Sequence, residues 1–183
     1  AIRPYPSHLV DTFDWHGRPV TVRPIRPEDE VQHMAFLSQL DPADIRMRVF
    51  YSRRSIERSE LARLTQVDYA REMALVAVDK GPDGEERTLG VVRAIADPDN
   101  ISAEFGIVIR SDMKGQQLGQ LLMQRIIDYQ RHHGTKKLVA EGLRADHFIV
   151  GEPTDLAVMT LHAANAEFAV HTFGVTRHMS KAE

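Results

Sequence analysis

Glu104 stands inside a short apolar run, Ala103-Glu104-Phe105-Gly106-Ile107-Val108-Ile109, and is the run's one carboxylate. The β-branched content of that run reads as a strand. Residues 110–117 are polar and contain Gly115, so they read as a loop. From Leu118 the period becomes helical, with Leu118, Leu122, Ile126 and Tyr129 on one stripe. A loop that opens into a helix N-terminus presents free backbone N–H groups and the positive end of the helix dipole, which suits an anion. A carboxylate on the adjoining strand suits a general base. Together they point to group transfer from a phosphate-bearing carrier.

The elements that must position these groups follow from the rest of the chain. Residues 1–16, with Pro4 and Pro6, read as an extended leader. Alternation over 20–25 suits a strand. Pro27, Glu28, Asp29 and Glu30 mark the start of a helix running to about Leu40. Asp41-Pro42 opens a second helical stretch through Phe50, and 55–64 is a third, with Ser55 as its cap. The apolar stretch 72–79 reads as a central strand, Gly81-Pro82-Asp83-Gly84 as a turn, and 89–96 and 101–109 as the next two strands. The helix over 118–133 ends at Gly134, and 138–143 is a further strand. The order β-α-α-α-β-β-β-α-β predicts an α/β fold with a mixed central sheet flanked by helices, in a single domain over 1–183.

This strand–loop–helix unit resembles the GNAT superfamily of N-acetyltransferases, whose equivalent unit holds the pyrophosphate of acetyl-CoA. The family loop reads Gln/Arg-x-x-Gly-x-Gly/Ala; here the chain reads Lys114-Gly115-Gln116-Gln117-Leu118-Gly119. Gly119 and Gly115 match. Lys114 replaces the Gln or Arg, and Gln117 replaces the middle glycine, where a Cβ restricts φ and close backbone approach. Upstream, the segments Ala1-Ile2-Arg3-Pro4-Tyr5-Pro6, Val22-Arg23-Pro24-Ile25-Arg26-Pro27-Glu28-Asp29, Glu60 through Tyr69, and Arg71-Glu72-Met73-Ala74 resemble the GNAT domain of bacterial Pat-type protein lysine acetyltransferases. The likeness covers about residues 1–143. It implies a GNAT fold and acetyl transfer to a lysine of a protein acceptor, with an acyl-CoA synthetase among the candidates. A ligase-like module often precedes the domain in that family.

The resemblance also implies roles. Glu104 would be the base, with Glu72 in reserve. The backbone of Ile107, Val108 and Ile109 would pair with the pantetheine arm. Lys114, Gly115, Gln116, Gln117, Leu118, Gly119 and Gln120 would form the phosphate site. Members often protonate the departing thiolate with a tyrosine on the last helix, and no tyrosine follows Tyr129. Two other classes stay open: a non-catalytic acyl-CoA sensor, and a metal-dependent amidohydrolase fragment.

Composition narrows the field. A chain of 183 residues with 43% hydrophobic and 27% charged residues is that of an ordinary globular domain. A net charge of −3 gives no electrostatic case for nucleic acid. Without cysteine there is no disulfide framework, thiol nucleophile or thiolate metal site. No apolar run reaches about 18 residues, so no membrane span is expected, and 1–15 carry no signal-peptide core. A cytoplasmic location is the expectation. Arg46, Arg48, Arg53, Arg54, Arg58 and Arg63 stand against only Glu57 and Glu60. They read either as a solvated helical face or as a docking surface for an acidic partner.

The tail over 144–183 is atypical for the family. Asp146 stands where an Asn-led helix would begin, and no Leu-Gly-Phe follows. Ile149-Val150-Gly151-Glu152-Pro153-Thr154-Asp155-Leu156 resembles a segment of metal-dependent amidohydrolases such as acetylornithine deacetylases, where the matching glutamate binds metal and a later histidine, here His178, binds substrate. The upstream His-x-Asp and Asp-Glu-Glu motifs of that family are absent, so no metal is expected. Either the tail has a separate origin, or it completes the fold through a helix over 155–164 and a hairpin over 167–179 around Gly174.

Overall fold

A computed structural model describes residues 3–40, 58–140 and 157–159. They form a seven-stranded sheet in sequential order: β1 (Asp11–Trp15), β2 (Arg18–Pro24), β3 (Glu72–Lys80), β4 (Glu86–Ala96), β5 (Ser102–Ile109), β6 (Lys137–Ala140) and β7 (Ala157–Met159). The first five pair antiparallel, and β5–β6 and β6–β7 are parallel. Three helices are described: α1 (Glu30–Ser38), α2 (Arg58–Thr65) and α3 (Leu118–His132).

Strand β3 is buried along almost its whole length, which is why Met73 to Val78 reads as one apolar run rather than an alternation: both of its faces are covered. Its odd residues join one core with β4, β5 and α3, through Met73, Leu75, Val92, Ala103, Phe105, Leu122 and Ile126. Its even residues join a second core with α1 and α2, through Ala74, Val76, Val91, Val108, Phe36, Leu61 and Leu64. Leu122 and Ile126 are fully buried, each worth about 1.5–3 kcal/mol against exposure. They hold α3 flat on the sheet.

Helix starts and stops follow local chemistry. Pro27–Asp29 forms a 3-10 turn leading into α1. Asp29 accepts the Arg26 N–H at 2.8 Å and a two-pronged contact from the buried Arg23 guanidinium at 2.7 and 2.8 Å, which ties the head of α1 to β2. Helix α3 ends in a Schellman turn: Gly134, at φ +80°, donates to Arg131 O at 3.1 Å, and Thr135 donates to Gln130 O at 3.0 Å.

Two expectations need correction. Within the expected leader, Asp11–Trp15 is an edge strand paired with β2 around a His16-Gly17 turn at positive φ; a run of Asp-Thr-Phe-Asp-Trp gains its order from that partner rather than from its own composition. Within the expected helix over 155–164, Ala157–Met159 is a strand running parallel to β6. Three residues are too few to reveal their period, and the open edge of β6 supplies backbone partners. The second helical stretch over 41–50 and the hairpin over 167–179 lie outside the described residues.

Candidate functional site

The backbone around β5 sets the site. Arg110 N–H donates to Leu89 O at 2.9 Å and Asp97 N–H to Ser102 O at 2.8 Å, so even-numbered residues turn their main chain toward β4. Lys137 N–H donates to Ile101 O at 3.1 Å, so odd-numbered residues face β6. Among the described residues, β6 pairs with β5 only from Ser102 to Phe105. Beyond that point Ile107 and Ile109 present N–H and C=O to an edge with no described partner, ready to accept an extended ligand. Val108 does not share this orientation: its main chain is turned to β4 opposite Val91. Of the three expected contacts, alternation therefore leaves two.

The loop that follows is braced from within. Met113 is buried and its N–H donates to Arg110 O at 2.8 Å. Arg110 grips Asp112 with two contacts at 2.6 and 2.7 Å, holding that carboxyl below its usual range. The loop's one acid is thereby neutralised. Gln116 donates to Asp112 O at 3.1 Å. Gly115 adopts φ +74° and Gln117 φ +69°. Gln117 thus takes the left-handed conformation reserved for glycine in the family pattern, at a cost of order 1 kcal/mol.

Helix α3 then begins with no side-chain cap and no acidic residue in its first turn. Its first intrahelical bond is Leu121 N–H to Gln117 O at 3.1 Å. The N–H groups of Leu118, Gly119 and Gln120 precede that bond and point out of the helix end. A Cβ on Gly119 would meet Ile109 Cγ1 at 3.5 Å and Ile107 Cδ1 at 3.9 Å, so the helix mouth sits directly above β5. Lys114 lies on the same loop. The structure thus brings Ile107, Ile109, Lys114, Gly115, Gln116, Gln117, Leu118, Gly119 and Gln120 to one end of the sheet.

Glu104 is exposed and, among the described residues, has no hydrogen-bond or ion-pair partner. Its register partners are Ile95 on β4 and Val139 on β6. Glu72 faces the same Ile95 from β3. The two carboxylates therefore occupy one row of one face, two strand spacings or about 10 Å apart. Glu72 is already engaged by the Arg93 guanidinium, so the two candidates for the base differ sharply in their surroundings.

Three residues escaped the sequence reading. Gly90 on β4 is the register partner of Ile109; a lone glycine in a strand was its signal. Arg93 is buried on the same face as the two glutamates, bound to Glu72 and to Leu64 O. An arginine in an apolar strand was visible, but its partner was not. His33 on α1 is 1% exposed and neither ring nitrogen has a hydrogen-bond partner among the described residues. Burial, then the nearby Arg93 charge, lowers its pKa to about 4.

Among the described residues no group of three or more His, Asp or Glu side chains is arranged to hold a metal ion, and no helix is long and apolar enough to cross a membrane. Glu152, His178 and most of the arginine-rich segment lie outside the described residues.

Comparison with known proteins adds the following. Residues 41–149 match the acetyltransferase (GNAT) family. An acetyltransferase of Pseudomonas aeruginosa is 32% identical over 132 residues, covering 72% of this chain and 70% of that one. Among solved structures, the GNAT domain of S. lividans PAT superposes with a TM-score of 0.64 at 20% identity, covering 75% of this chain and 80% of that one. The alpha-N-protein acetyltransferase RimL gives 0.54 at 14% identity, covering 76% of each chain. At such identities the two structures speak to the fold alone.

Proposed function

The chain belongs to the acetyltransferase (GNAT) family, and on that footing we propose that it moves an acetyl group from acetyl-CoA to a lysine side chain of a protein acceptor, with Glu104 as general base. The observation that supports this reading is the meeting of two features at one end of the sheet, the edge at Ile107 and Ile109 and the uncapped mouth of α3, with Glu104, which has no partner among the described residues, three residues upstream of Ile107 on the same strand.

The pyrophosphate fits the α3 mouth, where N–H groups and the helix dipole meet an anion without an opposing acid. Gly115 and Gly119 allow close backbone approach there. The pantetheine arm fits beside β5, adding to it as a short strand through Ile107 and Ile109. A lysine amine has an unperturbed pKa of about 10.4 and arrives protonated. Glu104 takes that proton, directly or through water, for a gain of about 10²–10⁴-fold. The free amine then forms a C–N bond to the thioester carbonyl, the C–S bond breaks, and CoA leaves as the thiolate or, after protonation, the thiol. A peptide N–H of Ile107 or Ile109 then steadies the carbonyl oxygen.

Calorimetry with acetyl-CoA and an acetylation assay on a lysine acceptor, an acyl-CoA synthetase first, test this. Glu104→Gln should keep acetyl-CoA affinity and lower turnover 10²–10⁴-fold near neutral pH. No heat at millimolar acetyl-CoA would overturn the reading. Binding with no transfer to any amine, unchanged by Glu104→Gln, would favour a non-catalytic acyl-CoA sensor.

A further inference from the structure

Arg93, Glu72 and Glu104 share one face of the sheet. Arg93 is register partner to Ala74 on β3 and to Gly106 on β5, one row from the Glu72–Ile95–Glu104 row. Its side chain is buried and reaches Glu72 and the Leu64 carbonyl at the end of α2. Glu72 is held from the other side as well, because its N–H, with those of Ala70 and Arg71, donates to Asp68 Oδ1 at 3.3, 2.9 and 3.1 Å. Diagonal cross-strand neighbours lie about 7–8 Å apart, within reach of a long side chain. The charges of Arg93 and Glu72 thus lie one and two strands from Glu104 on the same face.

Resting on the reading of Glu104 as base, we propose that the Arg93–Glu72 pair is a positioning device that leaves Glu104, of the two carboxylates in its cross-strand row, the one open to the incoming ammonium. The two partners carry opposite charges on that face. Without Arg93, Glu72 becomes a second free carboxylate in the same row, and Glu104 holds its proton more tightly. Without the Glu72 charge, one negative charge fewer stands in the row, which favours the ionised form of Glu104.

Other charged groups meet this face. Lys137 on β6 stands opposite Ser102. Asp29, at the head of α1, is engaged by Arg23. His33 is neutral at the pH of an assay, and Arg63 on α2 is exposed. Of these, His33 alone feels the Arg93 charge, which helps keep it neutral, so the Glu72→Gln arm is free of any change at His33.

The test is the acid limb of kcat/KM for acetyl transfer from acetyl-CoA to a lysine peptide, read across pH. Glu72→Gln should move the limb down and Arg93→Met should move it up, each by roughly half to one pH unit for one charge at this distance in a partly solvated site. The double variant should return near wild type, and Arg93→Lys should restore most of the Arg93→Met shift. A structural role alone would lower activity without opposite shifts. Limbs that stay put, or move the same way in both single variants, would overturn the proposal, provided Glu104→Gln removes the limb. If Glu104→Gln leaves the limb intact, the base reading itself fails instead. Should Arg93→Met not fold, Glu72→Gln decides alone: no downward shift overturns the proposal.

Discussion

Gly90 and Ile109 face each other across β4 and β5, and a Cβ on Gly90 would lie 2.6 Å from Ile109 Cδ1. It would also stand 3.1 Å from Leu122 Cδ1 and 3.1 Å from Val108 O. The contact with Ile109 can be relieved by a side-chain rotation, but the carbonyl cannot move without the strand. Gly90 therefore lets α3 settle close over the strand whose edge at Ile107 and Ile109 has no described partner.

Gly90→Ala should destabilise the fold by about 1–3 kcal/mol through overpacking and should weaken acetyl-CoA binding as Ile109 shifts. Urea unfolding and calorimetry check both. Unchanged stability would mean that Ile109 yields freely.

Gly119 tells the two demands on the cradle apart. Its φ is ordinary and its ideal Cβ finds normal contact distances, so Gly119→Ala should fold and keep most of its affinity. Gly119→Glu should fold too but lose acetyl-CoA binding, since it sets a carboxylate and its bulk at the helix mouth where a phosphate would lie. Thermal shift with and without ligand separates the outcomes. Normal binding by Gly119→Glu would move the phosphate site elsewhere.

His33 should give the protein an acid-sensitive stability. Its pKa is near 4 in the fold and near 6.5 in the unfolded chain. Above pH 6.5 both states are neutral and nothing is lost. As pH falls from 6.5 to 4 the unfolded state gains a proton that the folded state refuses. Stability then drops by up to ~1.4 kcal/mol per pH unit, about 3 kcal/mol in all. His33→Leu, which also removes two buried nitrogens without a hydrogen-bond partner among the described residues, should flatten that slope in urea titrations between pH 7 and 4.5. A slope equal to wild type would place the acid sensitivity on other groups.

The alternation in β5 predicts a pattern in amide exchange. Without ligand, the amides of Ile107 and Ile109 should exchange fast and that of Val108 slowly, because Val108 is turned to β4. Acetyl-CoA should slow the first two and leave the third unchanged. Equal protection of all three would contradict the open edge.

Much of this arrangement was legible in the chain. The period change at Leu118 marked α3, and the glycine at 134 marked its end, because both signals are local. The sheet's central strands were legible because burial on both faces leaves near-continuous apolar runs. Asp11–Trp15 and Ala157–Met159 were not, since each is ordered by a neighbour's edge. The candidate site divided in the same way. Its loop and carboxylate were visible as residue types at a spacing. That Glu72 and Glu104 flank one isoleucine, and that Arg93 has claimed the first, depends on register across three strands, which no local pattern encodes. Gln117 shows the opposite case: a residue ill-suited to positive φ adopts it because the loop on one side and α3 on the other leave no alternative.

An edge that docks its ligand by main-chain groups is largely indifferent to the side chains that line it. Replacing Ile107 or Ile109 by another residue alters packing beneath α3 but leaves the donors and acceptors in place. Proline is the exception, because it alone deletes the N–H. At 107 or 109 it would erase a contact offered to the ligand, while at 108 it would erase one that binds β5 to β4. The same substitution, one position apart, thus separates a defect of recognition from a defect of folding.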